Sequence, residues 1–199
     1  RIGNQDILSM VMQSDIEKIR MTLEEASRPD FDSAVNAIVS AKRIYILGIR
    51  SSSAIASFLG FYFNLIFENV VMIHSNSVRE VFEQILRIGP GDVIIGISFP
   101  RYSRRTVKAM QYARSRGATV VAITDSQVSP LAPISDHTLM AKSDMASFVD
   151  SLVAPLSLVN ALIVAVGRRK NDDLSSTFEA LEKIWDEYEV YEKVEETED

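Results

Sequence analysis

Apolar residues recur at helical spacing in seven segments of the chain. Residues 5–26 alternate apolar and polar positions with the period of an α-helix. Pro29 is expected to end this first helix, and Asp30 or Asp32 is expected to cap the second one. The remaining helical segments are predicted at about 52–67, 78–87, 104–116, 147–168 and 174–193.

Five short apolar runs lie between these helical segments and predict strands. They cover residues 43–48, 70–73, 92–98, 118–124 and 137–140. The near-continuous apolar character of the third run is typical of a strand that is covered on both faces. Strands that alternate with helices predict an α/β fold, here a doubly wound, mostly parallel five-stranded sheet with helices on both faces. In such sheets ligands bind beyond the carboxyl ends of the strands, where the strand order reverses.

Two of the predicted strands end in turns that are rich in hydroxyl residues. The two turns read Gly48-Ile49-Arg50-Ser51-Ser52-Ser53 and Ser98-Phe99-Pro100-Arg101-Tyr102-Ser103. Each turn runs into a predicted helix, whose first N–H groups are unpaired and whose dipole favours negative charge. Three serines in a row also exceed what capping one helix requires. The pair of turns therefore predicts a site for a phosphate group.

The second turn is also strongly basic. Arg101, Arg104, Arg105 and Lys108 place four positive charges within eight residues, with no acidic residue among them. Cations in the first turn of a helix oppose its dipole, at a cost of roughly 0.3–1 kcal/mol each. A bound anion would reverse the sign of this effect. Side chains that point into water or contact another subunit are the alternative explanation.

The composition excludes several other classes of site. The chain has no cysteine, and its two histidines, His74 and His137, lack metal-ligand spacing. Neither a P-loop nor a dinucleotide fingerprint is present. We therefore expect neither a metal nor a cofactor. With nothing secretory in view, a cytoplasmic location is expected, and the apolar segment 152–166 is too short and too mixed to cross a bilayer.

The acidic end of the chain accounts for the net charge of −6. Residues 179–199 hold ten acidic residues and two lysines, whereas the remainder holds 19 basic and 17 acidic residues. A solvated helix face and a frayed tail are the simplest interpretation of this end. The nearly neutral body does not look like a strongly basic nucleic-acid surface.

The two turns and their strands resemble those of the SIS (sugar isomerase) domain, a family that binds phosphosugars. The resemblance covers roughly residues 30–168. The first loop of that family reads approximately Gly-x-Gly-x-Ser. Gly48 and Ser52 match it, and Arg50 stands where the second glycine is usual.

The second loop of the family reads approximately Ser-x-Ser-Gly-x-Thr. Ser98 matches its first residue, Ser103 stands at its last hydroxyl, and Pro100 and Arg101 replace the Ser-Gly between them. The resemblance implies that the phosphate is held by Ser52, Ser98 and Ser103, with Ser51 nearby. Arg50 and Arg101 would then supply by charge what the altered loops lose in hydrogen-bond donors.

A narrower resemblance is to RpiR-type bacterial transcriptional regulators, which join an N-terminal helix-turn-helix domain to an SIS domain that senses a sugar phosphate. It is carried by Ser98–Val107, by Ala122–Ser126 and by Ser129-Pro130-Leu131. The DNA-binding part is absent from this chain, and the chain begins with Arg1 rather than Met. We therefore expect DNA binding only through a domain upstream of this chain.

Three functions remain open from the sequence. The first is an effector domain that binds a phosphosugar without catalysis. The second is an aldose–ketose isomerase, which needs a base at the sugar C1–C2; Glu80 is the best candidate, followed by Glu83 and His74, although the usual Ser-Glu-aromatic pattern is missing. The third is a dimerisation module with a degenerate pocket, which the basic second turn disfavours.

The chain is expected to divide into three parts. Residues 1–29 form a linker helix, 30–170 the phosphosugar-binding domain, and 171–199 a C-terminal helix with an acidic tail. A homodimer or homotetramer is expected, assembled through the apolar helices 52–67 and 148–168 together with the terminal helices.

Overall fold

The structure, a computed structural model, describes residues 6–74, 77–144 and 149–191. Within these ranges the chain forms five strands and seven α-helices. In chain order they are α1 Ile7–Glu25, α2 Arg28–Val39, β1 Ile44–Gly48, α3 Ser52–Ile66, β2 Val70–Met72, α4 Val78–Gln84, β3 Val93–Ile97, α5 Arg104–Ser115, β4 Thr119–Thr124, β5 His137–Met140, α6 Val153–Arg169 and α7 Asn171–Glu187. The last helix ends at Glu187 rather than at the predicted residue 193, and residues 192–199 of the acidic tail lie outside the described residues.

The five strands form one sheet in the order β2-β1-β3-β4-β5, and every neighbouring pair is parallel. The predicted doubly wound sheet is confirmed, and these strands are parallel throughout rather than mostly so. From β1 the chain proceeds to β2 on one side and then crosses back to place β3 on the other side. The strand order therefore reverses between β1 and β3, which is the usual ligand position in this class of fold.

Alternate residues of the strands pack on opposite faces of the sheet, because side chains on a strand have a period of two. Ile44, Ile46 and Ile95 belong to an apolar cluster with residues of α2, α3 and α6. Tyr45 and Ile94 belong to a second cluster with residues of α4 and α5. Both faces of the sheet are thus covered by helices, as the continuous apolar strands predicted.

Two predicted helix starts are wrong. Helix α2 begins at Arg28 with Ser27 as its cap, since the Ser27 hydroxyl accepts a hydrogen bond from the Asp30 N–H at 3.3 Å. Neither Asp30 nor Asp32 caps it, and Pro29 lies within its first turn, where a missing N–H costs nothing. Helix α6 begins at Val153 rather than near 147. Residues 149–152 are therefore loop rather than helix.

Helix α1 turns an apolar surface away from the domain. Lys18 and Thr22 are its buried residues, and the Thr22 hydroxyl accepts a hydrogen bond from the Lys142 N–H at 2.9 Å. Along this helix lie apolar side chains that are 56–69% exposed: Ile7, Leu8, Met12, Ile16 and Leu23. No helix in the described ranges combines the length and the apolarity needed to cross a membrane.

Gly48, the last residue of β1, lets α3 approach the sheet closely. A Cβ at this position would overlap the Ser52 carbonyl oxygen and lie 2.9 Å from the Cβ of Ala56. Helix α3 could not then begin directly above the end of β1. Close packing, rather than an unusual backbone angle, is why glycine is required here, since Gly48 is not among the residues with positive φ.

Replacing Gly48 with alanine is therefore expected to lower the free energy of unfolding by about 1–3 kcal/mol, the usual cost of overpacking. Urea denaturation measures this change. Gly89→Ala is the matched control, because its Cβ would lie 3.8 Å from the nearest atom, the Arg116 carbonyl oxygen. Equal stability of the two variants would contradict the packing role of Gly48.

Candidate functional site

The loop after β1, here called the β1 loop (residues 49–51), delivers three serines to the start of α3. Ser51 is the N-cap residue, but its hydroxyl makes no capping hydrogen bond. That hydroxyl instead donates to Asp150 Oδ2 at 2.9 Å. Ser52 is buried in the first turn of the helix, and the Ser53 hydroxyl donates to the Arg50 carbonyl oxygen at 2.6 Å. The first turn of α3 is thus left without a side-chain cap.

The loop after β3, here called the β3 loop (residues 98–103), folds back on its own first residue. The buried Ser98 hydroxyl accepts a hydrogen bond from the Ser103 N–H at 3.0 Å. Ser103 in turn caps α5 by accepting from the Thr106 N–H at 3.3 Å. The two hydroxyls are therefore held at fixed positions, and each can still donate its own proton.

Tyr102 ties the β3 loop to the end of β4. Its hydroxyl donates to Asp125 Oδ1 at 2.7 Å. Burial, together with the Asp125 carboxylate, raises the pKa of Tyr102, so the phenol stays protonated and keeps its role as a donor. The loop is thereby anchored to β4 as well as to its own first residue.

Both loops contain an arginine with left-handed backbone geometry. Arg50 has φ 60° and Arg101 has φ 68°. An ordinary L-residue pays roughly 1–2 kcal/mol in this region, whereas glycine pays almost nothing. In the two loop patterns of the SIS family given above, the positions that correspond to Arg50 and Arg101 are glycine. The chain keeps the glycine-type backbone in both loops and adds a guanidinium to each.

The two loops enclose a cavity of about 710 Å³ beyond the ends of β1 and β3. All six residues predicted to bind the phosphate line it: Arg50, Ser51, Ser52, Ser98, Arg101 and Ser103. Arg104 and Arg105 line it as well, whereas the sequence-predicted Lys108 is not among the lining residues. The predicted residues are therefore brought together in space, and their contact with a ligand stays a prediction.

The cavity is positively charged. Among the described residues that line it are four arginines and one carboxylate, that of Asp150. Two of the four, Arg104 and Arg105, lie in the first turn of α5, which holds no acidic residue. Two arginine side chains and the positive end of the α5 dipole therefore lie at the same end of this helix. A bound anion would stabilise this arrangement.

Sequence reasoning missed Asp150, which precedes α6. Its carboxylate contacts both loops, through the Ser51 hydroxyl at 2.9 Å and through Arg101 Nη2 at 3.3 Å. Nothing in its local sequence indicates a site. Only the path of the loop before α6 across the carboxyl edge of the sheet brings it there.

The candidate isomerase residues are not among the lining residues of this cavity. Glu80 lies in the first turn of α4, where its N–H donates to the Ser77 hydroxyl at 3.2 Å, and Glu83 pairs with Arg79. His74 lines a smaller cavity of about 170 Å³, which also touches Gly48 and Arg50. In the described ranges, no three His, Asp or Glu side chains are grouped so that they could hold a metal ion.

The sequence model of the SIS domain family matches residues 37–165. The chain belongs to the SIS domain family. The matched region begins within α2 and ends within α6, so it contains the whole sheet and both loops of the cavity. The predicted family is confirmed.

Curated proteins that are similar to this chain include HTH-type transcriptional regulators. An uncharacterized HTH-type transcriptional regulator of Caldanaerobacter subterraneus is 24% identical over 172 residues, which are 84% of this chain and 60% of that protein. A second uncharacterized HTH-type regulator, from Clostridium perfringens, is 22% identical over 78% of this chain and 57% of its own length. The chain thus spans about three fifths of these relatives.

Solved structures share the fold. The sugar isomerase domain of an RpiR transcription factor from Sphaerobacter thermophilus has a TM-score of 0.84 and 29% identity, covering 90% of this chain and 99% of that one. The Vibrio vulnificus NanR protein, complexed with ManNAc-6P, has a TM-score of 0.77 and 21% identity over 91% of this chain and 70% of that one. Phosphoheptose isomerase GmhA from Neisseria gonorrhoeae has a TM-score of 0.71 and 15% identity, with 82% and 98% coverage.

Replacing Arg50 with glycine is expected to raise the free energy of unfolding by about 1 kcal/mol, because glycine adopts the left-handed conformation without the steric penalty. Urea denaturation of the unliganded protein measures the change. Arg50→Ala is the control, since it removes the same charge but keeps the Cβ that causes the strain. A glycine variant no more stable than the alanine variant would contradict the strained role of this residue.

Proposed function

We propose that the chain is the effector domain of an RpiR-type transcriptional regulator and that it binds a phosphosugar without catalysis. The phosphate would lie between the β1 and β3 loops, against the first turns of α3 and α5. Ser52, Ser98 and Ser103 would donate hydrogen bonds to its oxygens, and Ser51 would lie nearby. Arg50 and Arg101 would supply positive charge.

The observation that carries this proposal is the convergence of hydroxyls, guanidinium groups and two helix starts on one cavity. Each of these features by itself is common and serves other purposes. Together they match the needs of a phosphate monoester, which offers several strong acceptor oxygens and close to two negative charges at pH 7. The strain at Arg50 and Arg101 supports the same interpretation, because backbone strain of this kind concentrates at functional sites.

The comparisons support a regulator rather than an enzyme. The curated relatives above are HTH-type transcriptional regulators, and one structural neighbour is an RpiR transcription factor. NanR was solved with a sugar phosphate, ManNAc-6P. By analogy, DNA would be bound by a helix-turn-helix domain upstream of this chain, with residues 1–29 as the connection and 171–199 as a C-terminal helix and tail. Such a regulator would act in the cytoplasm.

Regulation of this kind requires that ligand binding be coupled to the arrangement of subunits. We propose a homodimer or homotetramer in which the exposed apolar face of α1 takes part, together with the apolar helices α3 and α6. A phosphosugar can shift the arrangement only if it binds one arrangement more tightly than the other. The position of α1 between the proposed DNA-binding part and the domain would transmit that shift.

A phosphosugar isomerase is the second candidate, since other members of the fold are isomerases, such as GmhA. It would require Glu80, or else Glu83 or His74, to reach the sugar C1–C2. None of the three lines the main cavity. Turnover of a sugar phosphate that Glu80→Gln abolishes would favour this candidate over the effector domain.

The proposal is tested by a thermal-shift screen of hexose, hexosamine and pentose phosphates, followed by calorimetric titration of the best ligand. A ligand at a hundred times its Kd is expected to stabilise the protein by about 2.7 kcal/mol. Ser52→Ala is expected to weaken binding at least tenfold, because hydrogen bonds to charged groups are worth about 1.5–3 kcal/mol.

Ser115→Ala is the matched control, since Ser115 lies at the far end of α5 and its hydroxyl donates only to the Tyr112 carbonyl oxygen. It is expected to bind like the unmodified protein. No shift from any phosphosugar at millimolar concentration would refute the proposal and would favour a dimerisation module.

A further inference from the structure

Asp150 places a negative charge in a cavity that is otherwise basic. It is the one acidic residue among the described residues that line the cavity. Its side chain is only 22% exposed, although the Arg101 side chain that it meets is 70% exposed. A carboxylate is an unexpected neighbour for a phosphate, because two anions in one cavity repel each other.

The two oxygens of Asp150 have separate partners on separate loops. Oδ2 accepts from the Ser51 hydroxyl of the β1 loop at 2.9 Å, and Oδ1 contacts Arg101 Nη2 of the β3 loop at 3.3 Å. An ionised carboxylate has about four acceptor positions and no donor. Within the described part of the chain two donors reach this carboxylate, fewer than the acceptor positions that it offers.

We infer that Asp150 is a specificity-determining residue, which selects phosphosugars whose sugar portion carries hydroxyl or ammonium groups and rejects those with a second acidic group. The inference rests on the proposed function and names the ligand class more narrowly. Hydroxyl and ammonium groups can donate to the open positions of the carboxylate. A carboxylate or second phosphate cannot donate, and it adds repulsion between like charges at short range.

The arginines of the cavity do not remove this selectivity. Arg101 is already paired with Asp150, and Arg104 and Arg105 lie at the start of α5, where the phosphate is proposed to bind. In the proposed complex, Arg104 and Arg105 would therefore lie near the phosphate rather than near Asp150. The environment near Asp150 is set by its own carboxylate, the Ser51 hydroxyl and the Arg101 guanidinium.

The test compares three probes by calorimetric titration at low ionic strength: inorganic phosphate, glucose 6-phosphate and 6-phosphogluconate. The last two have the same number of carbon atoms, but 6-phosphogluconate carries an additional carboxylate. The unmodified chain is expected to prefer glucose 6-phosphate. Asp150→Asn, which keeps the shape of the side chain and removes its charge, is expected to reduce this preference about tenfold, the effect of one like-charge contact in a partly solvated site.

Two further variants separate the charge from the fold. Asp150→Glu keeps the negative charge and is expected to retain the preference. Asp144→Asn removes a charge from an exposed position in the same connection between β5 and α6, outside the cavity lining, and is expected to change nothing.

The outcomes distinguish this inference from the proposed function. An unchanged preference in Asp150→Asn, or an equal gain for all three probes, would overturn the inference while leaving a phosphate site in place. An equal gain would mean that Asp150 merely competes with the phosphate. Failure of inorganic phosphate and both sugar phosphates to bind either protein would refute the phosphate site, and the inference with it.

Discussion

The parallel pairing of β1 with β3 is the constraint on which the candidate site depends. The register runs from Ile44 opposite Val93 to Gly48 opposite Ile97, so the two strands end level with each other. At their other ends, Arg43 forms two hydrogen bonds to the buried Asp92 carboxylate, which also accepts from the Gly89 N–H. With both ends fixed, two loops that are fifty residues apart in sequence begin side by side.

At one position in each of the two loops, the chain carries an arginine where the backbone conformation alone would favour glycine. Arg50 and Arg101 hold left-handed conformations, and Arg104 and Arg105 sit against the positive end of α5. A left-handed conformation at a residue other than glycine and a cation at a helix start are each unfavourable by themselves. A bound phosphate would convert the two helix-end charges from a cost into a gain and would make use of the loop charges. At these four residues, features that would favour phosphate binding are therefore unfavourable for the stability of the unliganded fold.

Local patterns predicted the fold and most of the residues that line the candidate cavity. The two serine-rich turns could be predicted because each is a short continuous segment that directly follows a predicted strand. The sheet topology then places the two turns next to each other. Asp150 was missed because its contacts to Ser51 and Arg101 depend on a loop path that no periodicity encodes. The spacing in α1 likewise predicts a two-sided helix but does not tell which side packs. In the structure the polar side, with Lys18 and Thr22, faces the domain.

The sequence also does not determine at which residue a helix begins. Ser27, Asp30 and Asp32 are all suitable caps by residue type, and the sequence alone gives no reason to choose Ser27. The choice follows from the tolerance of the first helical turn for Pro29, which lets α2 begin three residues earlier than a cap at Asp30 would allow. The late start of α6 matters more, because it leaves Asp150 in a loop, where its side chain can reach the cavity.

A crystal structure of the chain with a phosphosugar bound would test the central claim most directly. The account predicts phosphate oxygens within hydrogen-bond distance, about 2.6–3.2 Å, of the hydroxyls of Ser52, Ser98 and Ser103. It also predicts at least one of Arg50 and Arg101 in contact with the phosphate. A phosphate bound elsewhere, with these three hydroxyls directed away from it, would contradict the account.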